Sequence, residues 1–269
     1  GLKKQPNYGS YILLWEEVLT PNPILKVLST FKKHNVKCLL IGGQACIIYG
    51  AAEFSRDSDF IILCNNENLQ QLKKALNVLK AKLIYVPALE VSYLERGHAC
   101  HFRCKEKFVE NLRIDVISKL RGCEPFEKLW VRRNRVTLKK DGIVIDVIGL
   151  RDLVQSKKTQ RDKDWLMLKR LVEDDIVLNK AHPSDDQVRW WLLESRNPDS
   201  LIMLAGKYLK IAKECLGDRS LLSSAINSNT QKLNLELHEE EIRERQKDIE
   251  YWAPLRKELE ALRHISQEE

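Results

Sequence analysis

With 269 residues, 43% of them hydrophobic and 31% charged, the chain has the composition of a globular protein made of one large domain or one domain with an appendage. No apolar run approaches the roughly 18 residues of a membrane helix and no apolar leader stands near the start, so a cytoplasmic protein is expected. The net charge of +7 suits an anionic ligand, and seven cysteines without a dense framework predict reduced thiols rather than a disulfide scaffold.

Taken in chain order, residues 22–34 place Ile24, Val27, Leu28 and Phe31 on one helical face. A short buried strand, VKCLLIGG, follows and ends at Gly42 and Gly43, and QACIIYGAA reads as a short helix. DSDFIILC is a second strand, and NLQQLKKALNVLKA is an amphipathic helix with asparagines ahead of it as caps. The stretches ALEVSYLE, HACHFRC, LRIDVIS, KLWVRRNRVTL and GIVIDVI read as strands, with a charged loop around Lys105–Lys107 and a turn at Asp141-Gly142.

From Leu150 the period becomes helical, and beyond AHPSDD the chain reads as helix throughout, with Asp185 or Asp186 as a cap. The late segment ELHEEEIRERQKDIEYW carries Glu239/Arg243 and Glu241/Arg245 at i,i+4 spacing over a thin apolar stripe, as a solvated helix does. The expected architecture is α+β: a mixed sheet with flanking helices over residues 1–180, then a helical C-terminal domain over 181–269.

Chemistry concentrates at the second strand. Side chains alternate along a strand, so Asp57 and Asp59 share a face and Ser58 points away. Two close carboxylates repel unless a cation lies between them, and hard oxygen donors suit Mg²⁺. Gly42 and Gly43 end the preceding strand, where glycine lets backbone approach closely. Asp115 alternates with Ile114 and Val116; if its strand lies beside that of Asp57 and Asp59, three carboxylates converge in the manner of a two-metal phosphoryl-transfer site.

At these residues the chain resembles the nucleotidyltransferase superfamily with the DNA polymerase beta-like fold, and within it the small prokaryotic branch of antibiotic-modifying and toxin–antitoxin nucleotidyltransferases. Its signature is a Gly-Gly or Gly-Ser pair, a spacer, Asp-x-Asp or Asp-x-Glu, and an acid on a later strand. Here Gly42-Gly43 is followed by 13 residues, then Asp57-Ser58-Asp59, and Asp115 matches the later acid. Leu150, Leu153, Lys157, Lys163 and Asp164 match a Leu-x-x-Leu-x-x-x-Lys stretch followed by Lys-Asp.

The resemblance spans roughly residues 22–175. It implies a transferase that moves a nucleoside monophosphate from an NTP to an acceptor hydroxyl and releases pyrophosphate. Asp57, Asp59 and Asp115 would hold two Mg²⁺ ions, or Mn²⁺ in their place, and Gly42, Gly43, Ser55, Arg56 and Lys157 would contact the nucleotide. The acceptor would be a small molecule, a protein or an RNA end. The chain departs from many relatives in having Glu53 four residues before the first Asp, Ser55 two before it, and Gln44 after the glycines. Those departures support an alternative: an inactive module of the same fold that binds a nucleotide, RNA or a protein partner, the last through its C-terminal helices.

Other motifs carry less. His98, Cys100, His101 and Cys104 lie within seven residues, but on a strand His98 and Cys100 face away from His101, which speaks against one zinc site and leaves His98 and His101 as candidates to line an acceptor cleft. GGQACIIYG fits neither the dinucleotide fingerprint nor a P-loop, and no G-x-S-x-G elbow is present. Trp190 and Trp191 read as helix core.

Overall fold

The computed structural model describes residues 23–52, 54–137 and 143–268. Contacts divide it into two compact units, one reaching to Ser156 and resuming at Trp252, the other running from Lys157 to Tyr251. The division thus falls ahead of the residue-180 boundary expected from the change of period, and the last helical residues belong to the first unit.

The first unit is built on a seven-stranded mixed sheet in the order β3-β4-β5-β2-β1-β7-β6. Its strands are β1 (Cys38–Ile41), β2 (Asp57–Ile62), β3 (Lys82–Leu83), β4 (Cys100–Arg103), β5 (Arg113–Ile117), β6 (Asn134–Thr137) and β7 (Val144–Val147). β2 runs antiparallel to β1 and parallel to β5, so the strand carrying the two aspartates lies at the centre of the sheet. The helices here are α1 (Pro23–Lys33), α2 (Gly42–Ile48), α3 (Asn66–Val78), α4 (Val91–Arg96), α5 (Phe126–Arg132) and α6 (Leu150–Ser156).

Ile24, Val27, Leu28 and Phe31 of α1 are buried as their spacing predicts, and Phe31 meets Phe60 of β2 with ring centroids 4.9 Å apart. Each such fully buried side chain contributes about 1.5–3 kcal/mol relative to exposure. Because Phe60 alternates with Asp59, this contact covers the face of β2 opposite its carboxylates. Asn65 caps α3, and Asn68 in its first turn bonds the carbonyls of Lys37 and Leu63, tying the start of β1 to the end of β2.

Three local expectations are corrected. ALEVSYLE contributes a helix, α4, not a strand: Leu94 is buried and Gly97, at φ 102°, closes the helix in the left-handed conformation, a stop that its alternating apolar pattern hides. KLWVRRNRVTL is split. Phe126, Leu129 and Trp130 sit at helical spacing, the Phe126 and Trp130 rings stack at 5.6 Å, and only Asn134–Thr137 is extended. The turn expected at Asp141-Gly142 lies outside the described residues.

The second unit is helical: α7 (Asp162–Asn179), α8 (Asp185–Glu194), α9 (Pro198–Lys207), α10 (Leu209–Glu214), α11 (Leu222–Ile226) and most of α12 (Thr230–Glu268). The cap of α8 is Ser184, whose hydroxyl accepts from the Gln187 amide; the expected caps Asp185 and Asp186 occupy the first turn, where they face the positive end of the helix. Trp191 is fully buried and donates to the buried Asp175 carboxylate at 2.7 Å. Both i,i+4 pairs of α12 are present, Arg245–Glu241 at 2.7 Å and Arg243–Glu239 at 3.8 Å. No helix among the described residues is long and apolar enough to cross a membrane.

Candidate functional site

Gly42 sets the geometry. β1 ends at Ile41, which is in register with Asp59 of β2, and the chain then turns into α2 at Gly42 with φ +67°. A Cβ at Gly42 would lie 2.0 Å from Asp59 Oδ2. Only glycine tolerates both that backbone and that approach. Gly43 is equally crowded, since its Cβ would lie 2.5 Å from Ser55 Oγ. Gln44, buried behind them, donates from Nε2 to the Ser55 carbonyl at 3.0 Å, and Ser55 Oγ donates to the Asp57 carbonyl at 3.2 Å. The approach to β2 is therefore pinned to the glycine turn, with Arg56 exposed beside it.

The alternation predicted for β2 holds: Ser58 is fully buried while Asp57 and Asp59 are partly exposed on the other face. β5 lies directly alongside in parallel register, pairing Asp57 with Arg113 and Asp59 with Asp115. Neighbouring strands are about 4.8 Å apart, so Asp57, Asp59, Arg113 and Asp115 share one patch of the sheet. β4 continues it, since His101 is in register with Asp115.

Asp115 is held by two partners through one oxygen. Arg113 Nε donates to its Oδ1 at 2.7 Å and His101 Nδ1 stands 2.9 Å from the same atom. Burial pushes the Asp115 carboxyl up, but the hydrogen bonds and charges of His101 and Arg113 outweigh it and hold the group below the usual carboxylate range. Arg113 Nη2 also lies 3.0 Å from His101 Nδ1, and the half-exposed ring of Tyr85 meets His101 edge-on at 6.0 Å.

As donors, Asp57 and Asp59 suit a hard divalent cation that keeps waters and takes further oxygens from a ligand. Among the described residues no three His, Cys, Asp or Glu side chains gather closely enough to hold one ion, and Asp115 Oδ1 is committed to Arg113 and His101. The β2 pair thus fits a metal, whereas a closed three-carboxylate cage is not formed.

Lys157 belongs to the second unit, where its Nζ donates to Asp164 Oδ1 at 2.9 Å with both side chains buried. Thr159 and Arg161 complete the shell of Asp164, whose carboxyl burial pushes up and whose cationic partners pull further down. The Lys157 and Asp164 positions of the sequence motif are therefore joined by an ion pair that fixes the turn ahead of α7. Of the histidine–cysteine group, His98 is buried with Nε2 2.8 Å from Glu258 of α12. Burial, above all, pushes the Cys100 thiol up to about 12 and that of Cys104 to about 11, so both are unreactive at neutral pH.

Sequence reasoning missed Arg113, Tyr85 and the stitching role of Gln44. Arg113 was legible, since R-I-D puts Arg and Asp on one strand face; Tyr85, in the segment between β3 and β4, carries no such signal.

No protein-family model and no curated protein matches the chain. Among solved structures, lincosamide antibiotic adenylyltransferase LnuA in its lincomycin-bound form aligns with a TM-score of 0.40 and 15% identity, over 57% of this chain and 96% of that one. At that level of likeness the functional argument rests on the site itself.

Proposed function

We propose that the chain is a Mg²⁺-dependent nucleotidyltransferase that moves a nucleoside monophosphate from an NTP to an acceptor hydroxyl and releases pyrophosphate. The observation that carries this reading is the register that sets Asp59 beside Asp115, with Asp57 on the same face and the Gly42 turn closed against Asp59. Asp57 and Asp59 are the metal-holding pair, and Asp115, tied to Arg113 and His101, is the acceptor-side carboxylate. Bound Mg²⁺ supplies charge neutralisation at the phosphate oxygens.

The remaining chemistry falls to positioning by the chain. The Gly42–Gly43 backbone, uncrowded by side chains, and Ser55 and Arg56 lie on the nucleotide side, and Arg56 offers an exposed cation to phosphate. The Lys157 of the motif is assigned to Asp164 rather than to the triphosphate. A second reading, a nucleotide- or partner-binding module without turnover, is favoured by the commitment of Asp115 Oδ1 to two partners.

Calorimetry with each of the four NTPs, with and without Mg²⁺, tests the first reading. The native chain should bind an NTP only with the metal, and Asp57→Asn and Asp59→Asn should lose that binding. Binding indifferent to Mg²⁺ and to both substitutions would move the assignment to the second reading.

A further inference from the structure

We infer that His101 is the catalytic residue that takes the proton from the acceptor hydroxyl, with Asp115 as the residue that orients it. This rests on the nucleotidyltransferase reading, and the geometry gives it independent content. His101 is partly exposed on the carboxylate face of the sheet, its Nδ1 faces Asp115 Oδ1 at 2.9 Å, and Nε2 has no partner among the described residues. A carboxylate on one imidazole nitrogen fixes the tautomer and the ring and leaves the other nitrogen bare, with a lone pair directed outward.

The two neighbours of Nδ1 demand opposite tautomers. If Nδ1 carries the proton it donates to Asp115; if it does not, it accepts from Arg113 Nη2 at 3.0 Å. Asp115 decides the matter. Its Oδ1 is always an acceptor, so a lone pair on Nδ1 at 2.9 Å would face another lone pair. Arg113 already places Nε on Asp115 and is exposed enough to give its remaining hydrogens to water. A donor to a carboxylate is also the stronger bond. The ring of Tyr85, edge-on to the imidazole, closes the side away from Arg113 and leaves Nε2 toward the cleft.

The step balances without a further reactant. The acceptor O–H proton passes to His101 Nε2, and the oxygen forms a bond to the α-phosphorus. The bond from that phosphorus to the bridging oxygen breaks, and pyrophosphate leaves with the electron pair. Asp115 then faces an imidazolium and stabilises it. This differs from a role for Asp115 as the base itself, because the proton is accepted two groups farther from the β2 carboxylates.

Two variants separate the roles. Asn at position 101 keeps a donor near Nδ1 and removes Nε2; Gln keeps a polar atom near Nε2 and removes the donor to Asp115. On the NTP that the native chain binds, His101→Asn should leave the binding constant within about twofold. It should slow pyrophosphate release with water as acceptor by at least about 100-fold, the lower end for a lost proton acceptor. Nitrogen NMR of the native chain, with the His101 signals found by their loss in His101→Asn, should show a protonated Nδ1 and a bare Nε2. A protonated Nε2, or release by His101→Asn at the native rate, overturns the assignment. Absence of any NTP binding by the native chain instead overturns the transferase reading on which it rests.

Discussion

Replacing Gly42 with alanine is the sharpest probe of how the site is built. The residue sits at φ +67°, where an L side chain costs about 1–2 kcal/mol. The added Cβ would meet Asp59 Oδ2 at 2.0 Å, Cγ at 2.7 Å and Cβ at 2.8 Å, so the nearest carboxylate atom is far inside van der Waals contact. Relief requires Asp59 to swing away or β1 and β2 to separate, and overpacking of this kind costs about a further 1–3 kcal/mol. The total, about 2–5 kcal/mol, is a large part of a domain's stability. Urea unfolding followed by far-UV circular dichroism should show the midpoint falling by about 1 M or more, given slopes of about 1–3 kcal/mol per molar. Gly206→Ala is the control: nothing lies within 4 Å of its Cβ, it sits in α9, and it should gain up to about 1 kcal/mol. A Gly42→Ala chain as stable as the native one would refute the tight packing of the glycine turn on Asp59.

Lys157→Met strands the buried Asp164 with only Thr159 and Arg161, and should destabilise the second unit by about 3 kcal/mol, the lower end for breaking a buried pair. Thermal unfolding reads this, and a variant with native stability would show that the pair is not formed. The acid limb follows from Asp164 and from Glu240, whose carboxyl burial pushes up and Arg219 and Arg196 pull further down. A depressed folded-state pKa means stability that is fully present above the ordinary carboxylate value of about 4 and lost as pH falls through the lower folded value. The melting temperature should therefore fall on acidification below about pH 4, and fall less steeply in Asp164→Asn. A melting temperature that rises on acidification through that range would contradict the ion pairs.

What was legible in the sequence follows from period. The α1 face, the β2 alternation and the pairing of Asp115 beside Asp59 were readable because a buried face imposes a strict spacing over several residues. α4 was misread because six residues ending at Gly97 are too few to separate helix from strand by pattern. The Lys157–Asp164 pair and the contacts on Asp115 were not readable, since each depends on the three-dimensional direction of side chains from different turns or strands. His101 appeared in the sequence only as part of a histidine–cysteine run; register with β5, not proximity in the chain, gives it a partner.

The central claim is that the β2 carboxylates form a metal-dependent nucleotide site on the exposed face of the sheet. Anomalous scattering from crystals grown with Mn²⁺ and a non-hydrolysable analogue of the bound NTP tests it most directly. The account predicts an anomalous peak bridging Asp57, Asp59 and phosphate oxygens beside the Gly42–Gly43 turn. A bound nucleotide elsewhere, with no peak at the two aspartates, would contradict it.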